Sequence, residues 1–411
     1  MYTTIFYIII AIIIIEFIWD FILGELNRKS WASVVPDELS DVYPQEKFIK
    51  QKQYRLANYN FNNLSSFISL IIIVAFLFFE GFAHLNRVTG EITNEHWLLH
   101  SLLFFASIGF LSLLLSLPFS VYQTFVIEDR FGFNKTTPKI FVGDIFKSIM
   151  ISSLLGGALL SLIIWFYESA GSNFWLYAWI GMSLFMIFFS KFYTTFILPL
   201  FNKLKPLDDG ELRSSIEELS NKTGFPLDNV YVMDGSKRST KANAFFSGFG
   251  KNKKIVLFDT LINDLSNEEI VAVLAHEIGH FKLKHILAGT ITAVVQMGVT
   301  LFLLGWFVNH PAISSALGVD KPVFHIGLTG FALLYSPVSA VTGLAMTLLS
   351  RYNEYKADRF AAKYYNKENL VSALKKISAK SLVNPTPNKW YVFFNYSHPP
   401  LIDRIKAIRH N

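Results

Sequence analysis

The fold class this sequence predicts is an α-helical membrane protein with seven spans and its folded polar segments on one face. Three observations predict it. Of 411 residues, 52% are hydrophobic and 16% aromatic. Only 17% are charged, below the roughly one quarter usual in soluble domains. The apolar residues are also gathered into runs near the length, about 20 residues, that a helix needs to cross a bilayer.

The runs are Ile5 to Leu23, Leu64 to Phe82, Leu102 to Val121, Ile149 to Phe166, Phe174 to Phe189, Ile286 to Val308 and Ile326 to Leu349. The fifth continues as a mixed stretch to Pro199. The first has no basic n-region and no small-residue cleavage site, which predicts a retained span. Glu16 and Asp20 sit four residues apart near its end and share a helix face. They mark either the interface end of the helix or a face lining a watery interior, since ionisable groups in spans avoid lipid.

Charge orients the chain. The loops after spans one, three and five and the C-terminal tail hold 35 Lys and Arg, against 2 in the other three loops. The positive-inside rule then puts the N-terminus outside and the four basic segments in the cytoplasm. This gives spans one to five with their loops over 1–200, a cytoplasmic segment over 201–285, spans six and seven over 286–349, and a cytoplasmic C-terminal segment over 350–411. A bacterial plasma membrane and an endoplasmic reticulum membrane both fit. The net charge of +6 belongs to these loops; no nucleic-acid-binding motif accompanies it, so no nucleic acid partner is expected.

The chain has no cysteine, which excludes disulfides, thiol nucleophiles and thiolate metal sites. A metal here needs His and carboxylate ligands. Leu274 to His280 reads L-A-H-E-I-G-H. In H-E-x-x-H on a helix, His276 and His280 lie one turn apart and about 40° out of register, so both reach one zinc ion. Glu277 projects from the adjacent face, where a general base is needed. Ser266 followed by Glu269 predicts a capping box at the start of this helix. Gly279 costs helix stability, up to about 1 kcal/mol against Ala, and is expected where something packs closely over it.

A catalytic zinc site takes three protein ligands and leaves a fourth position open. The segment S-R-Y-N-E-Y-K-A-D-R-F-A, Ser350 to Ala361, begins where the seventh span meets the cytoplasm. Glu354 and Asp358 share a face there. One can ligate the metal while the other accepts a hydrogen bond from a ligand histidine. The chemistry these parts predict is peptide-bond hydrolysis by activated water, with Glu277 moving the proton and no covalent intermediate.

Together these residues resemble the type I CAAX prenyl proteases, integral-membrane zinc endopeptidases. The resemblance covers most of the chain: seven spans, H-E-I-G-H before the sixth, S-R-x-x-E-x-x-A-D after the seventh, F-V-I-E-D-R-F-G-F-N-K at Phe125 to Lys135, and S-H-P-P-L-I-D-R-I at Ser397 to Ile405. It implies one zinc per chain on His276, His280 and Glu354, with Glu277 as general base and Asp358 as partner of a ligand histidine. It implies helices enclosing a water-filled chamber with a cytoplasmic zinc-protease domain, and prenylated CaaX peptides that lose their last three residues. The segment A-N-A-F-F-S-G from Ala242, followed by Ile255 to Phe258, reads as a β-hairpin. In the family such a segment marks an edge strand that takes substrate as an added strand, with Asn243, Ala244 and Phe245 on it. His398 and Arg404 match positions expected near the substrate carbonyl or oxyanion. Lys241 stands where relatives often carry a histidine and is assigned no role.

His285 lies five residues past His280, about 140° round an unbroken helix, and is expected at the interface. His84, His96, His100, His310 and His325 fall in or beside outer loops. The competing readings are a broad quality-control protease like the HtpX heat-shock enzymes, a site-2 protease, a seven-span receptor or transporter, and an inactive relative that only binds lipidated peptides. Five spans before the motif disfavour the first. A motif outside any apolar span disfavours the second. A zinc constellation on one face disfavours the third.

Overall fold

The computed structural model describes residues 3–225, 230–247 and 254–410. Helix α1 (Thr4–Lys29) starts on a Thr3 cap, whose hydroxyl accepts from Phe6 N at 3.2 Å, and ends with Arg28 and Lys29 in its last turn. Helices α2 (Gln45–Phe78), α3 (Gly81–Thr93) and α4 (Trp97–Tyr122) follow. The second expected span therefore stops short of Phe82, which belongs to α3. A π-helical turn, Gln123–Glu128, extends α4. Helix α5 (Pro138–Ala170) starts on Thr137 with Pro138 in its first turn, a position where the missing N–H costs nothing. Helix α6 (Phe174–Phe196) and the single turn α7 (Leu198–Phe201) close the first half.

Among the described residues, six apolar helical stretches are long enough to cross a membrane. The stretch 138–201 breaks at Gly171–Asn173, and α5 and α6 pack against each other beyond the break. The six stretches thus hold the seven expected segments. No more than 11% of the residues in the most apolar window of any stretch are buried within the protein. Where these helices meet, Phe6, Ile9, Phe104 and Ile326 pack in one cluster and Ile164, Phe174 and Leu301 in another. Asp20 lines a cavity of about 330 Å³ with Asn58, Asn62 and Asn63 of α2 and Asn395.

The polar segments build one core. Strand β1 (Leu204–Pro206) pairs antiparallel with β2 (Val230–Met233), β2 runs parallel to β4 (Lys254–Phe258), and β3 (Ala244–Ser247) pairs antiparallel with β4. The order β1-β2-β4-β3 leaves β3 at an edge. The expected hairpin is thus half of a four-stranded sheet, and its turn lies outside the described residues. Helices α8 (Glu211–Thr223), α9 (Asp259–Asp264) and α10 (Asn267–Lys282) cover the sheet. Ile255, Leu257, Ile270, Leu274 and Ile278 are fully buried there, with Leu370 and Ile405 from the C-terminal segment. Helices α11 (His285–Phe307) and α12 (Pro311–Ala316) lead into α13 (Phe324–Tyr364), 41 residues of unbroken helix. Helices α14 (Lys367–Lys380), α15 (Lys389–Asn395) and α16 (Leu401–His410) complete the chain.

Candidate active site

Helix α10 begins on a complete capping box: Glu269 N donates to Ser266 Oγ and Ser266 N to Glu269 Oε2 at 2.9 Å. The other Glu269 oxygen takes Ser372 Oγ and Lys376 Nζ, each at 2.6 Å. The residue that starts the motif helix thereby also fastens it to α14. Ten residues of α10 are buried, His276 among them.

Gly279 sets the approach of α13. A Cβ at Gly279 would lie 3.2 Å from both the Cα and the carbonyl oxygen of Ala357 and 3.1 Å from Phe360 Cβ. Without one, the backbones of α10 and α13 nearly touch. Glu354, one turn before Ala357, is thereby placed beside the histidines. His276 Nε2 lies 3.1 Å from His280 Nε2 and 3.5 Å from Glu354 Oε2, and His280 Nε2 lies 3.2 Å from Glu354 Oε1.

These spacings fit a metal. Donors at zinc distances of about 2.0–2.1 Å in a tetrahedron stand about 3.3 Å apart along each edge. Two imidazole nitrogens and a carboxylate make a donor set that suits zinc. Glu354 is buried, and its two oxygens face the two imidazoles, Oε2 toward His276 and Oε1 toward His280, the disposition a shared cation needs. His276, His280 and Glu354 are the group among the described residues able to hold one.

Around this triangle lies a second layer. His276 Nδ1 is 2.9 Å from Asp358 Oδ1. Arg404 Nε and Nη2 donate to the two oxygens of Asp358 at 2.8 and 2.6 Å, while Arg404 Nη1 stands 3.6 Å from Glu354 Oε2. Arg404 is thus partly buried and grips Asp358 with two nitrogens while the third points toward Glu354. His398 stands at the mouth: its side chain is 65% exposed and its Nδ1 is 3.0 Å from Glu354 Oε2. Burial disfavours a charged His276, but Asp358 and Glu354 outweigh it and carry the ring up to about 9. Burial pushes the Glu277 carboxyl above its ordinary value, against the pull of His276 and His280. That is the direction a proton-accepting carboxylate needs to work near neutral pH.

One neighbour escaped sequence reasoning. His285 Nδ1 lies 3.1 Å from His280 Nδ1. The helix does not continue through Leu283 and Lys284, whose φ is +59°, so the 140° offset does not apply and the turn swings His285 back. A left-handed Lys carries no sequence signal. His325 lies apart from this centre: its Nε2 is 2.7 Å from Asn86 Oδ1 and its Nδ1 is 3.0 Å from Ser101 Oγ.

Asn243, Ala244 and Phe245 lie at the sheet edge. The Asn243 carbonyl accepts from Phe258 N at 3.1 Å, its exposed side chain accepts from Ala244 N at 2.9 Å, and the Phe245 ring packs on Phe258. Ala244 and Phe245 pair with β4 on one side, and among the described residues no strand pairs with β3 on the other, the arrangement that can take an added strand.

Comparison with known proteins bears on what such a site does. Residues 26–203 match the family described as CAAX prenyl protease N-terminal, five membrane helices, and residues 206–411 match peptidase family M48. The CAAX prenyl protease 1 homolog of Arabidopsis thaliana is 37% identical, with 91% of this chain and 90% of that protein aligned. The homolog of Homo sapiens is 32% identical over 96% of this chain and 93% of its own length. The crystal structure of S. mikatae Ste24p superposes with a TM-score of 0.93 at 32% identity, covering 99% of both chains.

Proposed function

Because the chain belongs to peptidase family M48, with the N-terminal membrane domain of the CAAX prenyl proteases, we propose that it is a zinc endopeptidase acting near the C-terminus of prenylated CaaX-type proteins and releasing their last three residues. The observation that carries this reading is the triangle of His276, His280 and Glu354 beside an open edge strand. One zinc ion held there supplies a Lewis acid that polarises the scissile carbonyl and acidifies water.

The chain's own residues do the rest. Substrate lies along β3 as an added strand, and Asn243 fixes one of its peptide groups. Glu277 takes the proton of the attacking water on a carboxylate oxygen and delivers it to the leaving amine nitrogen. Asp358 holds the Nδ1 proton of His276, so that Nε2 presents its lone pair to the metal. Arg404 fixes Asp358 and lends positive charge behind the ligands. His398, exposed at the mouth, donates to the substrate carbonyl oxygen as negative charge develops. The excess of Lys and Arg in the loops that carry this site supports a cytoplasmic active site with the N-terminus outside. Residues 1–200 and 286–349 supply the membrane wall, and 201–285 and 350–411 supply the catalytic part.

The test is cleavage of a farnesylated CaaX peptide by the purified protein, with the unprenylated peptide alongside and products identified by mass. Loss of the last three residues from the farnesylated peptide alone is expected. Equal cleavage of both peptides would leave a zinc protease of the quality-control kind and remove the prenyl specificity.

A further inference from the structure

A cavity of about 1110 Å³ lies between α4 and α5, the size class of small-molecule sites. Leu102, Phe105, Phe110 and Leu113 form one wall. The other wall, on α5, sets Asp144, Ser148, Ser152 and Gly156, at four-residue steps, among Phe141, Ile145, Ile149 and Leu160. A carboxylate and hydroxyls facing hydrocarbon are unfavourable, so this polar stripe turns into the space between the helices. Gly109 on α4 and Gly156 and Gly157 on α5 have no heavy atom within 4 Å of where a Cβ would stand. The space between the helices is real, not a seam closed by small residues.

One end of the cavity is shared with the protease part. Thr136 and Asp144 line it. Both also bind Arg238, which donates to the two Asp144 oxygens at 2.7 and 2.9 Å and whose carbonyl accepts from Thr136 Oγ1 at 3.2 Å and Lys135 N at 3.0 Å. Two residues on, Thr240 N donates to Phe133 O at 3.1 Å. Lys241 Nζ then donates to Glu128 Oε2 at 2.8 Å and to Tyr54 OH at 3.1 Å, with the Phe133 ring 4.5 Å beneath it. Two residues further on come Asn243 and edge strand β3. The loop Phe125 to Lys135 is therefore a strap that ties the α4–α5 cavity to the strand on which substrate lies.

From this continuity we infer that the α4–α5 cavity receives the isoprenyl chain of the substrate, an inference that rests on the protease reading above. The isoprenoid of a CaaX substrate hangs from a cysteine side chain, and a side chain of an added strand stands away from the sheet. It needs an apolar space fixed relative to the strand. The cavity offers apolar α4 side chains to an apolar chain, and the Arg238–Asp144 and Lys241–Glu128 pairs hold the distance.

The test fills the cavity from positions that have room. Gly109→Leu and Gly156→Phe each replace a helix-interior glycine with a better helix former and meet no backbone. KM and kcat are measured on the full-length protein with a farnesylated CaaX peptide and with the same peptide carrying a short, five-carbon isoprenyl thioether. The expected result is a KM for the farnesylated peptide raised tenfold or more, with kcat, zinc content and short-chain cleavage kept. A photoreactive isoprenoid on the peptide is expected to label α4 and α5 of the wild type. An unchanged KM in both variants, equal loss on both peptides (a cavity filled by membrane lipid or purely structural), or labelling confined to other helices would overturn the inference. A wild type that prefers the farnesylated peptide while the filled variants keep that preference removes the cavity site alone. A wild type with no preference removes the prenyl reading with it.

Discussion

His280 Nε2 lies 3.2 Å from Glu354 Oε1, although α11, α12 and most of the membrane part of α13 separate them in the chain. Helix α13 makes this possible by running without interruption from the membrane into the protease core. The membrane helices are thus part of the frame that places the third ligand.

Each ligand is expected to be indispensable. His276→Ala, His280→Ala and Glu354→Ala should each lose bound zinc and cleavage together. Metal analysis of purified variants checks this. Full zinc in Glu354→Ala would remove Glu354 from the ligand set.

Zinc binding should be proton-linked. Contact with Asp358 and Glu354 carries His276 up to about 9, so below that pH the chelated protein holds a proton that the metal must displace. Affinity should therefore rise as pH increases toward about 9, by about tenfold per unit for one proton, and then flatten. Calorimetry in buffers of different ionisation enthalpy would detect the proton released. A pH-independent affinity between 6 and 9 would contradict this assignment.

Positioning behind the ligands should also be measurable. Asp358→Asn should weaken zinc binding by roughly 10–100-fold, the usual cost of losing a partner of a ligand histidine. Arg404→Ala leaves the buried Asp358 carboxylate without its bidentate partner, a loss of about 3–5 kcal/mol for a buried pair broken on one side. Asp358→Asn breaks the same pair from the other side, so thermal unfolding should show both variants less stable than wild type.

Gly279→Ala tests the helix contact. It gains up to about 1 kcal/mol of helix propensity, but its Cβ meets the backbone of Ala357, which yields only if α13 moves. Overpacking costs of about 1–3 kcal/mol should dominate. Lower thermal stability and reduced zinc loading are expected, and Gly279→Val should be worse.

Much of this was legible in the residues because it is local. Spans show as runs, the His276–Glu277–His280 motif is contiguous, and the capping box lies within four residues. Ser350 to Ala361 announced a candidate third ligand, but only the placement of α13 showed Glu354 facing the histidines and Asp358 behind His276. What was not legible is non-local or carries no compositional mark. Strands β1 and β2 are three and four residues long, too short for alternation to show. His285 is aimed by one left-handed Lys284. The partners of Phe125 to Lys135 lie far along the chain, at Tyr54, Arg238 and Lys241, so the strap reads as a loop until it is folded.

Zinc content and farnesylated-peptide turnover of Glu277→Gln, measured beside wild type, bear most directly on the mechanism. One zinc in each is expected, with turnover reduced by at least about 10²-fold in the variant, the scale of a lost general base. A variant that cleaves at the wild-type rate, or that has lost its zinc, would contradict it.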